Sequence, residues 1–186
     1  MTQKKENPNK SIIIIFGTIL GAIGVITQIV LYKTGHHLDQ GGQAQRTASI
    51  ISILSSIILI VLAIYMQKRA NLKNQIVDEK GNSIGFSQGL KTGVAVAFIG
   101  ALFVAIYNYI FITSIEPDTV NKIIETTRKA YIEQGLSDDE MKLNLENARN
   151  SVVPVMIGGI IIWNLFIGFV VSLIGTGILQ VLPRKK

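Results

Sequence analysis

Four long apolar segments, none with Asp, Glu, Lys, Arg or His in its interior, make this chain an integral membrane protein. They run about 11–32, 47–66, 92–115 and 152–182. A helix needs roughly 20 apolar residues to cross the ~30 Å hydrocarbon core, and its backbone must satisfy its own hydrogen bonds there. The expected fold is therefore all-α: four transmembrane helices forming a single membrane domain over 1–186. Only the third connection, 117–150, is long enough for structure of its own, and it is too short for an independent core.

The net charge of +6 sits at helix ends, not in a stripe. Lys4, Lys5, Lys10, Lys68, Arg69, Lys73, Arg184, Lys185 and Lys186 all flank apolar segments, where cations set topology and meet anionic headgroups. That pattern argues against a nucleic-acid partner. With four spans, the N-terminal tail, the second loop and the C-terminal tail share one side and carry eleven Lys and Arg, against seven opposite. Both termini are expected in the cytoplasm, and 117–150 outside. The chain has no cysteine, so disulfides, thiolate metal sites and lipidated-cysteine anchors do not arise. The first span is read as retained: its apolar run exceeds a signal peptide's, and Leu31-Tyr32-Lys33-Thr34 offers no small-x-small cleavage pattern.

The connections differ in how much they say. The first, Lys33 to Arg46, is a short glycine-containing reversal. In the second, Ile76-Val77 and Ile84 flank Gly81-Asn82, which predicts a small reversal lying on the cytoplasmic surface. Phe86 and Lys91 then suit the interfacial layer. The third predicts an extramembrane helical hairpin. Pro117 opens a helix with Asp118 at its positive end, and Val120, Ile123, Ile124, Thr127 and Tyr131 form one apolar stripe. Gly135 stops it. Ser137-Asp138-Asp139-Glu140 is a capping box, with Leu136 and Met141 placed as its staple. Met141, Leu145, Ala148 and Val152 continue a second stripe into the fourth span, and Pro154 either kinks that join or sits in the early turns.

In lipid, helices associate by close packing and interhelical hydrogen bonds, so small residues four apart mark contact faces. The candidates are Gly17 and Gly21, then Ala48, Ser52 and Ser56, then Gly93, Ala97, Ala101 and Ala105, then Gly168, Ser172 and Thr176. They are read as seams of the bundle itself, with a homodimer surface as the alternative. Gln28, Asn108 and Asn164 are the carboxamides well inside the spans. Interhelical glue is the leading role for them, and lining a ligand path the alternative.

No intramembrane acid, base or histidine is available to carry a coupling ion, and no P-loop, metalloprotease pair or nucleophile elbow occurs. No catalytic residue, cofactor site or metal site is expected. His36-His37 with Asp39 is read as a solvated loop, since adjacent histidines point apart and no third strong ligand is placed.

The chain resembles a bacterial family of small membrane proteins known as domain-of-unknown-function family 4199. The resemblance is carried by Gly17 and Gly21, by Phe86-Ser87-Gln88-Gly89-Leu90-Lys91-Thr92-Gly93, by Ile115-Glu116-Pro117-Asp118, and by Glu133-Gln134-Gly135-Leu136-Ser137. It implies a four-span protein of the Gram-negative inner membrane and points toward cell-envelope assembly; it supplies no functional residues. The resulting expectation is a non-enzymatic accessory or scaffold subunit of an envelope complex, with the bilayer and another membrane or envelope protein as partners. The alternative is a lipid or lipid-linked-sugar carrier or flippase component.

Overall fold

The computed structural model describes residues 9–37, 41–77 and 81–181. Lys4, Lys5, Asp39, Asp78, Glu79, Lys80 and the cations at 184–186, which figure in the charge and loop expectations, lie outside them. The elements are α1 (Lys10–Lys33), α2 (Gln43–Lys73), α3 (Phe86–Ile110), a π-helical turn (Phe111–Ile115), α4 (Thr119–Glu133) and α5 (Asp138–Val181). Among the described residues every regular element is helical. Helices α1, α2, α3 with its π turn, and α5 are each long and apolar enough to cross a membrane.

Helices α1 and α2 contain the first two expected segments, α3 with its π turn contains the third, and α5 covers the fourth as far as Val181; α2 and α5 run much further. Apolar character ends at Met66, yet α2 continues for two more turns because Gln67, Lys68 and Asn71 are held by other helices. In α5 the polar stretch 138–151 and the apolar stretch that follows are one continuous helix of 44 residues. Pro154 lies well inside that helix, not in its first turns.

Three helices stop in the same way. After α1, Gly35 at φ +75° lets His36 N–H reach Leu31 O (2.9 Å) while Gly35 N–H reaches Tyr32 O (3.0 Å). After α4, Gly135 at φ +74° does this for Leu136 and Tyr131. These are Schellman caps, which recover carbonyls orphaned at a helix end. After α2 the left-handed position falls to Gln75 at φ 55°, a conformation that a side chain disfavours.

The chain forms two compact units. The first comprises Met1–Val104 with Ile162–Lys186. Its core is Leu20, Ile60, Ala63, Ile64, Ile84, Val96, Ala97 and Leu179, contributed by α1, α2, α3, α5 and the segment before α3. The ends of the helices show how they run. Asn9 meets Gln67, Asn71 meets Ser83, and Lys68 meets Leu179, so the start of α1, the end of α2, the start of α3 and the end of α5 lie together. Ile84 is fully buried in the core. The segment before α3 therefore does not lie on the surface as the Gly-Asn pattern predicts: Ile84 gains more by burial than the reversal gains by solvation.

The second unit, Ala105–Ile161, contains the π turn, α4 and the first half of α5. Helix α4 begins two residues after Pro117, and Asp118 accepts from Asn121 Nδ2 (2.9 Å) instead of capping backbone N–H groups. Glu116 and Lys122 form an ion pair across this start. Asn121 Oδ1 also accepts from Arg149 Nη2 at 2.8 Å, and these two positions sit symmetrically about Gly135. Both predicted stripes are the less exposed faces: Val120, Ile123, Ile124, Thr127 and Tyr131 are half-buried, as are Leu145, Ala148 and Val152, while Met141 is buried. Glu140 returns to Ser137, taking its N–H at 3.2 Å and its hydroxyl at 2.6 Å.

Candidate functional site

In the first unit, glycine decides where helices touch. A Cβ on Gly17 would lie 2.6 Å from Ile99 Cβ, one on Gly21 2.5 Å from Phe103 Cβ, and one on Gly24 2.6 Å from Val104 Cγ2. Side-chain atoms do not approach that closely, so this α1 face exists only as glycine. On another side of α3, Gly89 faces Thr176, Gly93 faces Ser172 and Ile60, and Ala97 faces Gly168 of α5. Gly93 and Ala97 of the predicted stripe thus line the contact of α3 with α5. Helix α3 is the most enclosed of the four, with 44% of its most apolar stretch buried against 17%, 22% and 11% for α1, α2 and α5. Ala101 and Ala105 are buried; Ser56 is buried and donates to Ser52 O (2.9 Å). The hydroxyl of Ser172 returns to Gly168 O.

The strongest polar feature lies where four helix ends meet. Asn71 accepts from Gln67 Nε2 (3.0 Å) and donates both to Ser83 O (2.8 Å) and to Gln88 Oε1 (2.7 Å). Gln67 Oε1 takes the N–H of Asn9 (2.7 Å), and Gln180 Nε2 reaches Ile84 O (3.1 Å). Gln67, Asn71 and Gln88 are each about 2% exposed, so the network is satisfied inside protein. Beside it, Lys68 Nζ donates to Leu179 O at 2.6 Å, where α5 is about to end. A cation there suits the negative end of the helix dipole.

Lateral openings interrupt the apolar surface of this unit. One, about 680 Å³, lies between α1 and α2 toward the Gly35 turn, with Thr27, Thr34, Thr47, His36 and Gln43 among its lining residues. Another, about 580 Å³, lies between α2 and α5 and is wholly aliphatic. A small polar cleft of about 40 Å³, lined by Lys68, Gly81, Asn82, Ser83 and Gln180, shares Leu179 with it.

The three intramembrane carboxamides singled out in the sequence, Gln28, Asn108 and Asn164, are half-buried, and none lines these openings. The buried amides that tie helices together are Gln67, Asn71 and Gln88, beyond the apolar segments. Their signal was a spacing of four along α2, Gln67 to Asn71, directly after an apolar run. His37 is half-buried with its ring edge-on to Tyr32 (5.2 Å), and Gln45 Nε2 donates to the carbonyls of His36 and His37. Among the described residues no three His, Cys, Asp or Glu side chains come together.

A model of the family described as Protein of unknown function (DUF4199) matches residues 15–180. The chain belongs to that family. No curated protein and no solved structure matches it.

Proposed function

We propose that this member of the family is a non-catalytic accessory or scaffold subunit of an inner-membrane cell-envelope complex, with both termini in the cytoplasm. Its extramembrane part is the helical hairpin 117–150, which docks a partner outside the membrane. The observation that carries this reading is the pairing of α4 with the polar start of α5. The Asn121–Arg149 contact ties them, and their apolar stripes are only half-covered. At 1.5 Å per residue, the 44 residues of α5 amount to about 66 Å of helix, roughly twice the hydrocarbon core. A large part of it therefore extends beyond the bilayer, and 138–151 is the part whose composition suits water. Near the turn, Ile132 (56% exposed) and Leu143 (61% exposed) offer apolar contact to another protein.

The test is co-purification of a tagged chain at native expression level. Changing Ile132→Glu together with Leu143→Glu leaves membrane insertion intact and removes the stoichiometric partner. A partner retained by that variant sinks the docking reading.

The opening between α1 and α2 favours a second reading, a carrier for a lipid or lipid-linked sugar, because hydroxyls, His36 and Gln43 stand among its aliphatic lining residues. Photocrosslinking from Thr47 separates the two. Labelling by an isoprenoid-linked sugar above that from lipid-facing Leu62 supports the carrier; equal labelling removes it.

A further inference from the structure

We propose that the hairpin 117–150 is carried on a hinge, formed at one level by the π turn 111–115 and by residues 154–159 of α5, on which it tilts as a rigid arm. The inference concerns the chain alone and stands whether or not the hairpin docks a partner.

On the α5 side, residues that weaken a helix accumulate where no contact requires them. Pro154 has no N–H to give to Asn150 O, and a proline inside a helix costs about 3 kcal/mol relative to alanine. Three residues earlier the Ser151 hydroxyl donates to Asn147 O (2.8 Å) and Ala148 O (3.2 Å), a back-bond that bends helices. Gly158 and Gly159 follow, each about 1 kcal/mol less favourable to helix than alanine. At Gly17, Gly21 and Gly168 glycine is required, because a neighbour already stands where a Cβ would be. At Gly158 and Gly159 an added Cβ would meet nothing within 4 Å. Close packing within the chain does not explain these two, and what they confer is backbone freedom.

The other route into the hairpin loses its regular helix at the same level. Asn121 and Arg149 pair across positions equally far from Gly135 in sequence. By the same count the π turn, 111–115, falls opposite 155–159. There Glu116 N–H reaches back five residues to Phe111 O (2.8 Å), a geometry that is rare in helices. Glu116 then leaves helical geometry at φ −137°, ψ 72°, ahead of Pro117. Phe111 and Ile112 are buried, so this side is anchored and serves as the pivot while the α5 side bends. A weak point in one strand alone would be braced by the other; two at one level let the segment beyond them move together.

Beyond that level the hairpin is braced as one piece. Arg149 holds Asn121 (2.8 Å), Asn121 holds Asp118 (2.9 Å), and Thr119 and Met141 are buried. From Pro154 back to Asp138 the arm is about 24 Å long at 1.5 Å per residue, so a bend of about 20°, the size of a sharp kink, displaces its tip by about 8 Å.

The full chain, free of native cysteine, is reconstituted in lipid nanodiscs and spin-labelled in pairs. Ile106→Cys with Lys142→Cys spans the hinge, about 33 Å along the helices, and Glu133→Cys with Asn150→Cys lies within the arm, about 20 Å; all four positions are exposed. In double electron–electron resonance the swing of the arm is expected to make the first distance distribution roughly twice as wide as the second. Gly158→Ala together with Gly159→Ala narrows the first to the width of the second. Pro154→Ala, which restores an N–H to Asn150 O, narrows it in the same way and serves if the double variant does not insert. Equal widths for the two pairs in the otherwise unsubstituted chain overturn the proposal, as does a width that these alanine variants leave unchanged. If the two glycines instead seat a second helix, the double variant loses a dimer on size-exclusion and keeps its width, which also overturns the hinge. None of these outcomes alters the partner measured with Ile132→Glu and Leu143→Glu.

Discussion

Asn71 on α2 and Gln88 on α3 meet at 2.7 Å, amide to amide, with both side chains shut away from solvent. Asn71 also holds Ser83 O and Gln67, so one side chain fixes α2, α3 and the segment between them. Asn71→Ala leaves three buried polar groups without that partner. The expected loss is about 3 kcal/mol, or roughly 6–12 °C in melting temperature for a chain of this size. Thermal unfolding followed by detergent size-exclusion measures it. An unchanged transition would mean that water replaces the amide and that the network does not lock the helix ends.

Glycines of one helix type should respond in opposite ways. Gly21→Ala pushes a methyl into the root of Phe103 and is expected to destabilise by about 1–3 kcal/mol, as overpacking does. Gly158, also helical, has nothing within 4 Å of an added Cβ. Gly158→Ala is expected to leave stability unchanged or raise it by up to about 1 kcal/mol through helix propensity. Equal effects in the same thermal assay would contradict the α1–α3 seam.

Much of this architecture was legible in the residues. Span length and absence of charge locate four helices because lipid tolerates nothing else, and Gly135 and the Ser137–Glu140 pair mark their turn and cap through local chemistry. Gly17, Gly21, Gly93, Ala97 and Gly168 were legible as packing residues, but their mates were not: that Gly21 receives Phe103, or Gly93 receives Ser172, depends on how the helices are arranged. The polar network escaped for a related reason. Gln67, Asn71 and Gln88 sit among charged residues at helix ends, where composition predicts solvent. Only the convergence of four helix ends buries them. Ile84 was misplaced by the same local logic, since a Gly-Asn turn says nothing of the core waiting beside it.

The left-handed Gln75 offers a stabilising change. Gln75 N–H already makes the bond to Leu72 O that closes α2, so the conformation is needed whichever residue stands there. Gln75→Gly is expected to gain about 1 kcal/mol by removing the steric conflict of its Cβ. A melting temperature that falls would show that the side chain contributes more than its backbone conformation costs.

The start of α5 should respond to acid. The Ser137 hydroxyl, and then its backbone N–H, hold the exposed Glu140 carboxyl below its ordinary value of 4.5. A carboxylate whose value is depressed in the folded state stabilises fully above its unfolded value and loses that contribution as pH falls through the folded one. Hydrogen exchange over 138–141, corrected for its intrinsic pH dependence, should therefore show protection at pH 6 that declines below about pH 4.5. Glu140→Gln should remove the decline. A decline that persists in that variant would assign it to another group.

The absence of native cysteine makes topology directly measurable. Ser87 at the start of α3 and Ser137 at the cap of α5 are both exposed, so a thiol at either place meets reagent without disturbing a core. In the proposed orientation the α3 start lies in the cytoplasm and the 117–150 segment outside. In intact spheroplasts, Ser137→Cys should react with a membrane-impermeant maleimide while Ser87→Cys reacts only after lysis. The converse pattern would invert the protein and move any partner of Ile132 and Leu143 to the cytoplasm. Labelling of both before lysis would mean that the starts of α3 and α5 do not lie on opposite sides, which would overturn the four-span arrangement on which the docking role depends.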